Sequence, residues 1–385
     1  MTPPVQRGME AAFPKDELDR RLAAARAAIE RREIGTLIVT GPENIYYLTG
    51  QQTPGYYTFQ ALLLPVDGEP CFIIRRLEAM NCLVNSYIDR VEVYDDGTDP
   101  LVLLSDLLGQ RKATRIAIDK RGWFLPIAVY EALQAHLGDL ADGAGVIESL
   151  RAVKSVAEIE RIERAAAYVD NGMRAGYRAI CKGASENDLV AAMMGEAIRS
   201  GSEYLGMEPL VSSGRRTGIP HGTWRRRRIE PGDPIFLEMA ACHDRYHAVL
   251  MRSAWMGPPP DHAKRMMDTC QEALVAALDR LRPGNLCEDV HNAAQSVIDR
   301  AGYTENYRKR TGYSIGISFA PDWGEWQVLS LYSGVREVLR PGMVFHIPPA
   351  LRRYGEFTVG VSETAVVTEQ GCRVLGSVPR ELQIY

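Results

Sequence analysis

The stretch Glu230 to Met256 reads EPGDPIFLEMAACHDRYHAVLMRSAWM. Pro231-Gly232-Asp233 marks a turn, and Pro234 to Met239 is an apolar run of strand length. Ala248 to Met256 is a second such run, reached across a short polar loop. The pattern predicts a β-hairpin-like unit. Glu238 interrupts its first strand, and a carboxylate in a buried strand is costly unless it is paired, holds a cation or has chemistry to do. His243 and His247 fall on the loop or at the start of the second strand. Two other stretches are candidates to meet this unit: Pro220 to Trp224 (PHGTW), and Gly312 to Gly316 (GYSIG) with Pro321 to Glu325 (PDWGE).

A chain of 385 residues exceeds what one hydrophobic core usually organises, so two domains are expected. A hydrophobic share of 46% with 24% charged residues is ordinary for a globular protein, and a net charge of −4 gives no reason to expect a nucleic-acid or membrane partner. Arg225 to Arg228 is a local basic run, best read as a polar turn or an oligomer contact. The seven cysteines are scattered, odd in number and without CxxC spacing, which predicts reduced thiols in a cytoplasmic protein. The N-terminus lacks an apolar signal core, and no run of 18 apolar residues predicts a membrane span.

Residues 15–34 repeat apolar positions at helical spacing and stop at Gly35. Strands are expected at 36–40, 61–65, 70–75, 90–94 and 115–118, a short helical turn at 42–50, and helices near 99–110 and 126–136. That alternation argues an α/β domain over residues 1–150. From residue 151 onward a long helix is expected at 156–179 with Ser155 as its N-cap, and a second at 185–200 capped by Ser185 with Asp188 three residues later. After the hairpin come helices near 260–281 and 287–301, then strands near 343–347 and 360–368. Two helices then strands, twice over, predict a pseudo-repeat within residues 151–385.

At this point the chain resembles the creatinase and methionine-aminopeptidase superfamily, whose fold is the "pita-bread" α+β architecture behind a smaller creatinase/prolidase-type N-terminal α/β domain. The matching pieces run in family order: Arg151 to Ser155, Pro220-His221, Pro231 to Asp233, Arg310 to Gly316, Leu339 to Phe345 and Glu363 to Thr368. The resemblance implies that the peptidases' two metal ions would be held by two Asp, one His and two Glu. Here those positions carry Glu238, Val249, Tyr313, Pro348 and Ser362. Hard or borderline divalent cations need several O or N donors at one point, so no metal and no other cofactor is expected. What remains resembles the metal-free branch that includes creatinase and ectoine hydrolase, and more closely the latter: Pro220-His221-x-Thr223-Trp224, Phe236-x-Glu238-x-Ala240-x-Cys242-x-x-Arg245-Tyr246-His247, and the ending Val378-Pro379-Arg380. Departures fall on the substrate-facing rim. An expected acid just before Ser362 is absent, and Arg352-Arg353 replace apolar and acidic residues.

The resemblance implies a hydrolase of a non-peptide C–N bond in a small, zwitterionic amidine or guanidine. Glu238 would attack the electrophilic carbon or position the attacking water, and His221, held on a tight Pro-His-Gly loop, would serve as general base. His247 would orient Glu238, bond the substrate or cap the strand, whereas His243 and His346 read as structural. Asp322, Trp323 and Glu325 would hold a cationic ligand through charge-assisted bonds and ring contact. Tyr313 is expected to contact substrate, and Glu363 to be a second site acid or a surface one. Creatinase-like dimers close one subunit's site with the other's N-terminal domain, which makes Tyr57, beside Tyr56 and Phe59, a candidate wall and a homodimer the expected assembly. Creatinase-type amidine hydrolysis, a metal-dependent Xaa-Pro dipeptidase and an inactive binding module are the rival readings.

Overall fold

In a computed structural model, which describes residues 5–385, the chain forms two compact units that divide between residues 151 and 152. The first unit opens with the helix Lys15–Arg31, which buries Leu18, Ala25, Ala28 and Ile29 along one stripe. Its sheet has the strand order Arg90–Tyr94, Cys71–Arg75, Ala61–Pro65, Thr36–Val39, Ile116–Ile118, Ala141–Asp142, mixing parallel and antiparallel neighbours. The helices Pro100–Gln110 and Ile127–Leu137 fall within a residue or two of expectation. The helix Ala79–Asn85 was not anticipated, because its seven residues are too few to display a period.

The second unit carries the architecture of interest. Ser155 caps the helix Val156–Ala179 through a reciprocal box with Glu158, and Ser185 does the same for Glu186–Ser200 with Asp188. These helices accompany a four-stranded sheet ordered Gln383–Ile384, Tyr246–Trp255, Pro234–His243, Leu210–Ser213. A second helix pair, Asp261–Arg280 and Cys287–Arg300, shares a core with strands of a five-stranded sheet and with the two-stranded ribbon Ala350–Arg353/Phe357–Gly360. The five-stranded sheet runs Ser330–Leu331, Gly312–Ser314, Val344–Ile347, Glu363–Thr368, Gly371–Val374. Two helix pairs with their own strands give the expected pseudo-repeat.

The hairpin itself differs from expectation. Its strands extend over Pro234–His243 and Tyr246–Trp255, and only Asp244 and Arg245 turn the chain, at φ 48° and 63°. Positive φ at both central residues is the two-residue turn whose twist suits a hairpin, so the polar residues belong to strands rather than to a loop. Strand alternation then puts Phe236, Glu238, Ala240 and Cys242 on one face, opposite Ser253, Met251, Val249 and His247. The other face packs on the helix Val156–Ala179: a Cβ at Gly172 or Gly176 would strike Met239 or Met193. The span expected as one strand at 360–368 breaks after Gly360 and resumes at Glu363. Polar cross-links explain the break: Ser253 Oγ bonds both backbone groups of Gly360, and Ser362 Oγ accepts the Met251 amide at 2.7 Å.

The basic run is partly tied down. Buried Glu186 accepts from the Arg225 amide and from Arg216, and Arg227 forms a forked pair with Asp233 while reaching Ser213 Oγ. Among the described residues no helix is long and apolar enough to cross a membrane.

Candidate functional site

Glu238 lies at the middle of the central strand with its carboxylate on the face shared with Met251. Its neighbours along the strand are fully buried, and the carboxylate itself is half-buried. Among the described residues it accepts no hydrogen bond from the protein, nor does it belong to an ion pair within 4 Å. Burial pushes its pKa up from the ordinary 4.5, while the charges of Lys309 and Arg352 pull it back and that of Asp322 adds to the rise. A carboxylate left open toward cations and solvent is a group poised to act on something brought to it.

His221 sits on the loop after Leu210–Ser213, exposed, at φ 54°. That left-handed conformation is sparsely populated for a non-glycine residue and is held by the surrounding loop. Burial and then Arg352 and Lys309 lower its pKa below 6.5, opposed by Asp322, so the ring is neutral at pH 7. The charges of Lys309, Arg352 and Asp322 bear on both Glu238 and His221. Lys309 is itself lowered to about 8, first by burial and then by Arg352, with Glu238 opposing, and its ammonium donates to the Pro348 carbonyl at 2.6 Å. The Arg352 Nε is buried without a hydrogen-bond partner.

Tyr313 and Trp323 meet directly, the indole Nε1–H donating to the phenolic oxygen at 3.0 Å. Gly324 makes this possible, since a Cβ there would lie 2.5 Å from the Tyr313 ring. The Arg310 guanidinium stands 5.3 Å from the centroids of both Tyr313 and Trp326. Asp322 accepts the Gly324 amide at 3.0 Å through one carboxylate oxygen.

The remaining expected site residues are occupied elsewhere. Glu325 is buried, pairing with Lys154 at 2.8 Å and accepting from Ser314 Oγ and the Ile317 amide. Removing one partner of such a buried pair costs roughly 3–5 kcal/mol, so its duty is to hold the loop that carries Asp322 and Trp323. Glu363 is buried between Arg252 at 3.0 Å and Arg380 at 2.9 Å; Arg252 also holds the carbonyls of Val378 and Pro379, which accounts for the Val378-Pro379-Arg380 ending. His247 is fully buried with both ring nitrogens engaged: Nδ1–H donates to the Arg245 carbonyl at 2.9 Å and Nε2 accepts the Gly206 amide at 3.1 Å. Burial first, then Arg245, pushes its pKa down to about 3. Tyr57 stands 77% exposed in the first unit. Lys309 and Arg352 enter the site without having been singled out as functional. Their signal was the position of Lys309 just before Arg310-Thr311-Gly312 and the departure at Arg352-Arg353.

The model of metallopeptidase family M24 matches residues 160–369, and that of the creatinase/prolidase N-terminal domain matches residues 21–153. The chain belongs to family M24. Among its relatives, the ectoine hydrolase of Halomonas elongata is 29% identical, covering 96% of this chain and 98% of that protein. An uncharacterised hydrolase/peptidase of Sinorhizobium fredii is 33% identical, over 98% and 99%. The crystal structure of dipeptidase PepE from Mycobacterium ulcerans superimposes with a TM-score of 0.83 at 26% identity, over 97% and 99%. A prolidase from Thermococcus sibiricus gives 0.87 at 24%, over 96% and 99%, a likeness of fold. The second unit is thus a pita-bread domain and the protein a member of a hydrolase family.

A metal implied by the family name does not fit the residues present. Among the described residues no three His, Cys, Asp or Glu side chains converge to hold an ion. At the positions where the resemblance would place ligands, Val249 is buried and apolar, Ser362 and Tyr313 are engaged with His346, and Lys309 bonds the backbone of Pro348. The charges of Lys309 and Arg352 acting on Glu238 would disfavour a divalent cation there.

Proposed function

We propose that this protein is a metal-independent hydrolase of a non-peptide C–N bond in a small zwitterionic solute, most closely an ectoine-type cyclic amidine, with creatinase-type hydrolysis of an amidine second. One observation supports the reading: the charges of Lys309 and Arg352 bear both on an open carboxylate, Glu238, and on a neutral imidazole, His221, while no three metal-ligating side chains converge among the described residues.

In this reading the substrate's carboxylate pairs with Lys309 and Arg352, and its amidinium with Asp322 beside Trp323. Bound there, the amidinium carbon faces Glu238, which aligns the attacking water. His221 takes the proton of that water as the new C–O bond forms, and returns it to the nitrogen whose C–N bond breaks. A cyclic amidine then leaves as an open chain carrying one amide and one free amine, the sum of substrate and one water. Tyr313 contributes a hydrogen bond to the reacting centre. Glu325, Glu363 and His247 position this machinery through the backbone segments they bind. The protein would work in the cytoplasm as a homodimer, with the exposed Tyr57 at a subunit contact; a monomer by light scattering would remove that part.

The test is a panel of ectoine, hydroxyectoine, creatine and a Xaa-Pro dipeptide, followed by mass spectrometry. Gain of one water by ectoine supports the reading, and loss of a urea fragment from creatine supports the second. Cleavage of the dipeptide alone would overturn both in favour of a peptidase, the activity named for several relatives.

A further inference from the structure

Two buried residues outside the reacting groups, His346 and Ser362, fix the direction of one proton at the site. They are fully buried, and the cross-strand register sets His346 opposite Tyr313 while Met251, whose amide binds Ser362, lies opposite Glu238. The Met251 N–H donates to Ser362 Oγ at 2.7 Å. Ser362 Oγ lies 2.8 Å from His346 Nε2, and His346 Nδ1 lies 2.9 Å from the Tyr313 hydroxyl, which also receives the Trp323 indole N–H at 3.0 Å.

A proton count decides among the possible arrangements. A serine hydroxyl has one proton to give, and among the described residues its side-chain acceptor is His346 Nε2; that nitrogen must carry the lone pair. His346 is neutral, since burial and then Lys309 and Arg252 press its pKa well below 6.5. Its single N–H is therefore on Nδ1 and donates to Tyr313. The phenolic oxygen then accepts two hydrogen bonds, from Nδ1–H and from the indole, which fills both lone pairs. Its own proton is then free of both the His346 ring and the indole and is left to be donated to a third group. In the opposite arrangement Nε2–H would donate to Ser362, Tyr313 would turn its proton onto Nδ1, and the serine proton would be buried without an acceptor. That alternative is disfavoured roughly 10- to 100-fold.

We infer that Ser362 and His346 are positioning residues that hold the Tyr313 hydroxyl as an obligatory donor into the site. Resting on the hydrolase reading above, this makes Tyr313 the group that stabilises charge on the heteroatom leaving or attached to the attacked carbon. It also excludes Tyr313 as a proton acceptor, so the substrate presents an acceptor rather than an N–H at that point.

The first readout needs no substrate. Full-length protein carrying ¹⁵N-labelled histidine is examined by long-range ¹H–¹⁵N correlation, the His346 signals being those lost in His346→Gln. The expected spectrum has a protonated Nδ1 and an unprotonated Nε2 from pH 5 to pH 9. A protonated Nε2, or a ring that titrates in that range, overturns the inference. The second readout uses whichever substrate the panel reveals. Ser362→Ala is expected to lower kcat roughly tenfold with KM unchanged, Ser362→Thr to restore it, and Ser362→Ala to cost nothing further in a Tyr313→Phe background. An undiminished cost in that background reduces Ser362 to a packing role and overturns the inference. The expected tautomer in a protein that turns over nothing on the panel would sink only the hydrolase reading.

Discussion

His247 offers a sharp test, because sequence placed it among the catalytic groups while its surroundings give it different work. Its folded pKa of about 3 against an ordinary 6.5 makes it a thermodynamic liability in acid. The sign follows from proton binding: below pH 6.5 the unfolded chain protonates this imidazole and the folded protein does not, so stability is present above 6.5 and is lost as pH falls toward 3. From pH 7 to pH 4 the unfolded ring gains its proton across about 2.5 pH units, and at about 1.4 kcal/mol per unit the loss is about 3 kcal/mol. Other groups titrate over the same range, so the measurement is a difference. Denaturant unfolding of the wild type and of His247→Gln would be followed at pH 7 and pH 4, glutamine keeping an oxygen for the Gly206 amide. The wild type is expected to lose about 3 kcal/mol more than the variant, and the acidic limb of the variant's rate profile to stay where it was. Equal losses would mean that His247 protonates normally in the folded protein, which would refute its structural assignment and revive it as a base.

Further outcomes follow from the same charges. Glu238→Gln should keep the fold and lose at least about 1,000-fold in kcat, and the wild-type kcat/KM should fall toward acid pH as Glu238, raised above the ordinary 4.5, protonates and His221, lowered below 6.5, charges. Arg352→Met should raise KM roughly 10- to 100-fold for a carboxylate substrate and much less for its amide. Lys309, lowered to about 8, should cause KM to rise above that pH, and Lys309→Arg should remove the rise. In the first unit Asp119, raised to about 6 by burial and then by Glu148, binds its proton more tightly when folded, so it detracts from stability as pH climbs from 3.8 through 6. Asp119→Asn is expected to stabilise by about 1–2 kcal/mol at pH 7, after allowance for solvent screening, and by nothing at pH 3.5; thermal unfolding at the two pH values checks it.

What was legible in the sequence was what repeats locally. The helix Val156–Ala179 appears at its expected bounds because its N-cap, its first-turn acid and its apolar spacing agree. The strand bearing Glu238 was legible because an acid in an apolar run stands out. The turn at Asp244-Arg245 was not, since neither residue is a glycine or asparagine and the two polar flanks read as loop. Site membership was harder still, because it depends on partners far along the chain. Asp322 and Glu325 are three residues apart and alike in sequence, yet Lys154 claims the second. Glu363 is taken by Arg252 and Arg380, and Ser362, which looked like a lost metal ligand, instead holds His346. Lys309 and Arg352 were marked only by lying beside Arg310-Thr311-Gly312 and in the departing Arg352-Arg353 pair; the fold brings their charges to bear on Glu238.

The central claim is that Glu238 and His221 hydrolyse their substrate without a metal. The most direct measurement is turnover by chelator-stripped protein whose metal content is verified by mass spectrometry, before and after addition of manganese, cobalt and zinc, with Glu238→Gln in parallel. Undiminished turnover by the stripped enzyme, abolished in Glu238→Gln and not raised by any metal, is the expected result. Turnover that vanishes on stripping and returns with an added metal would contradict the account.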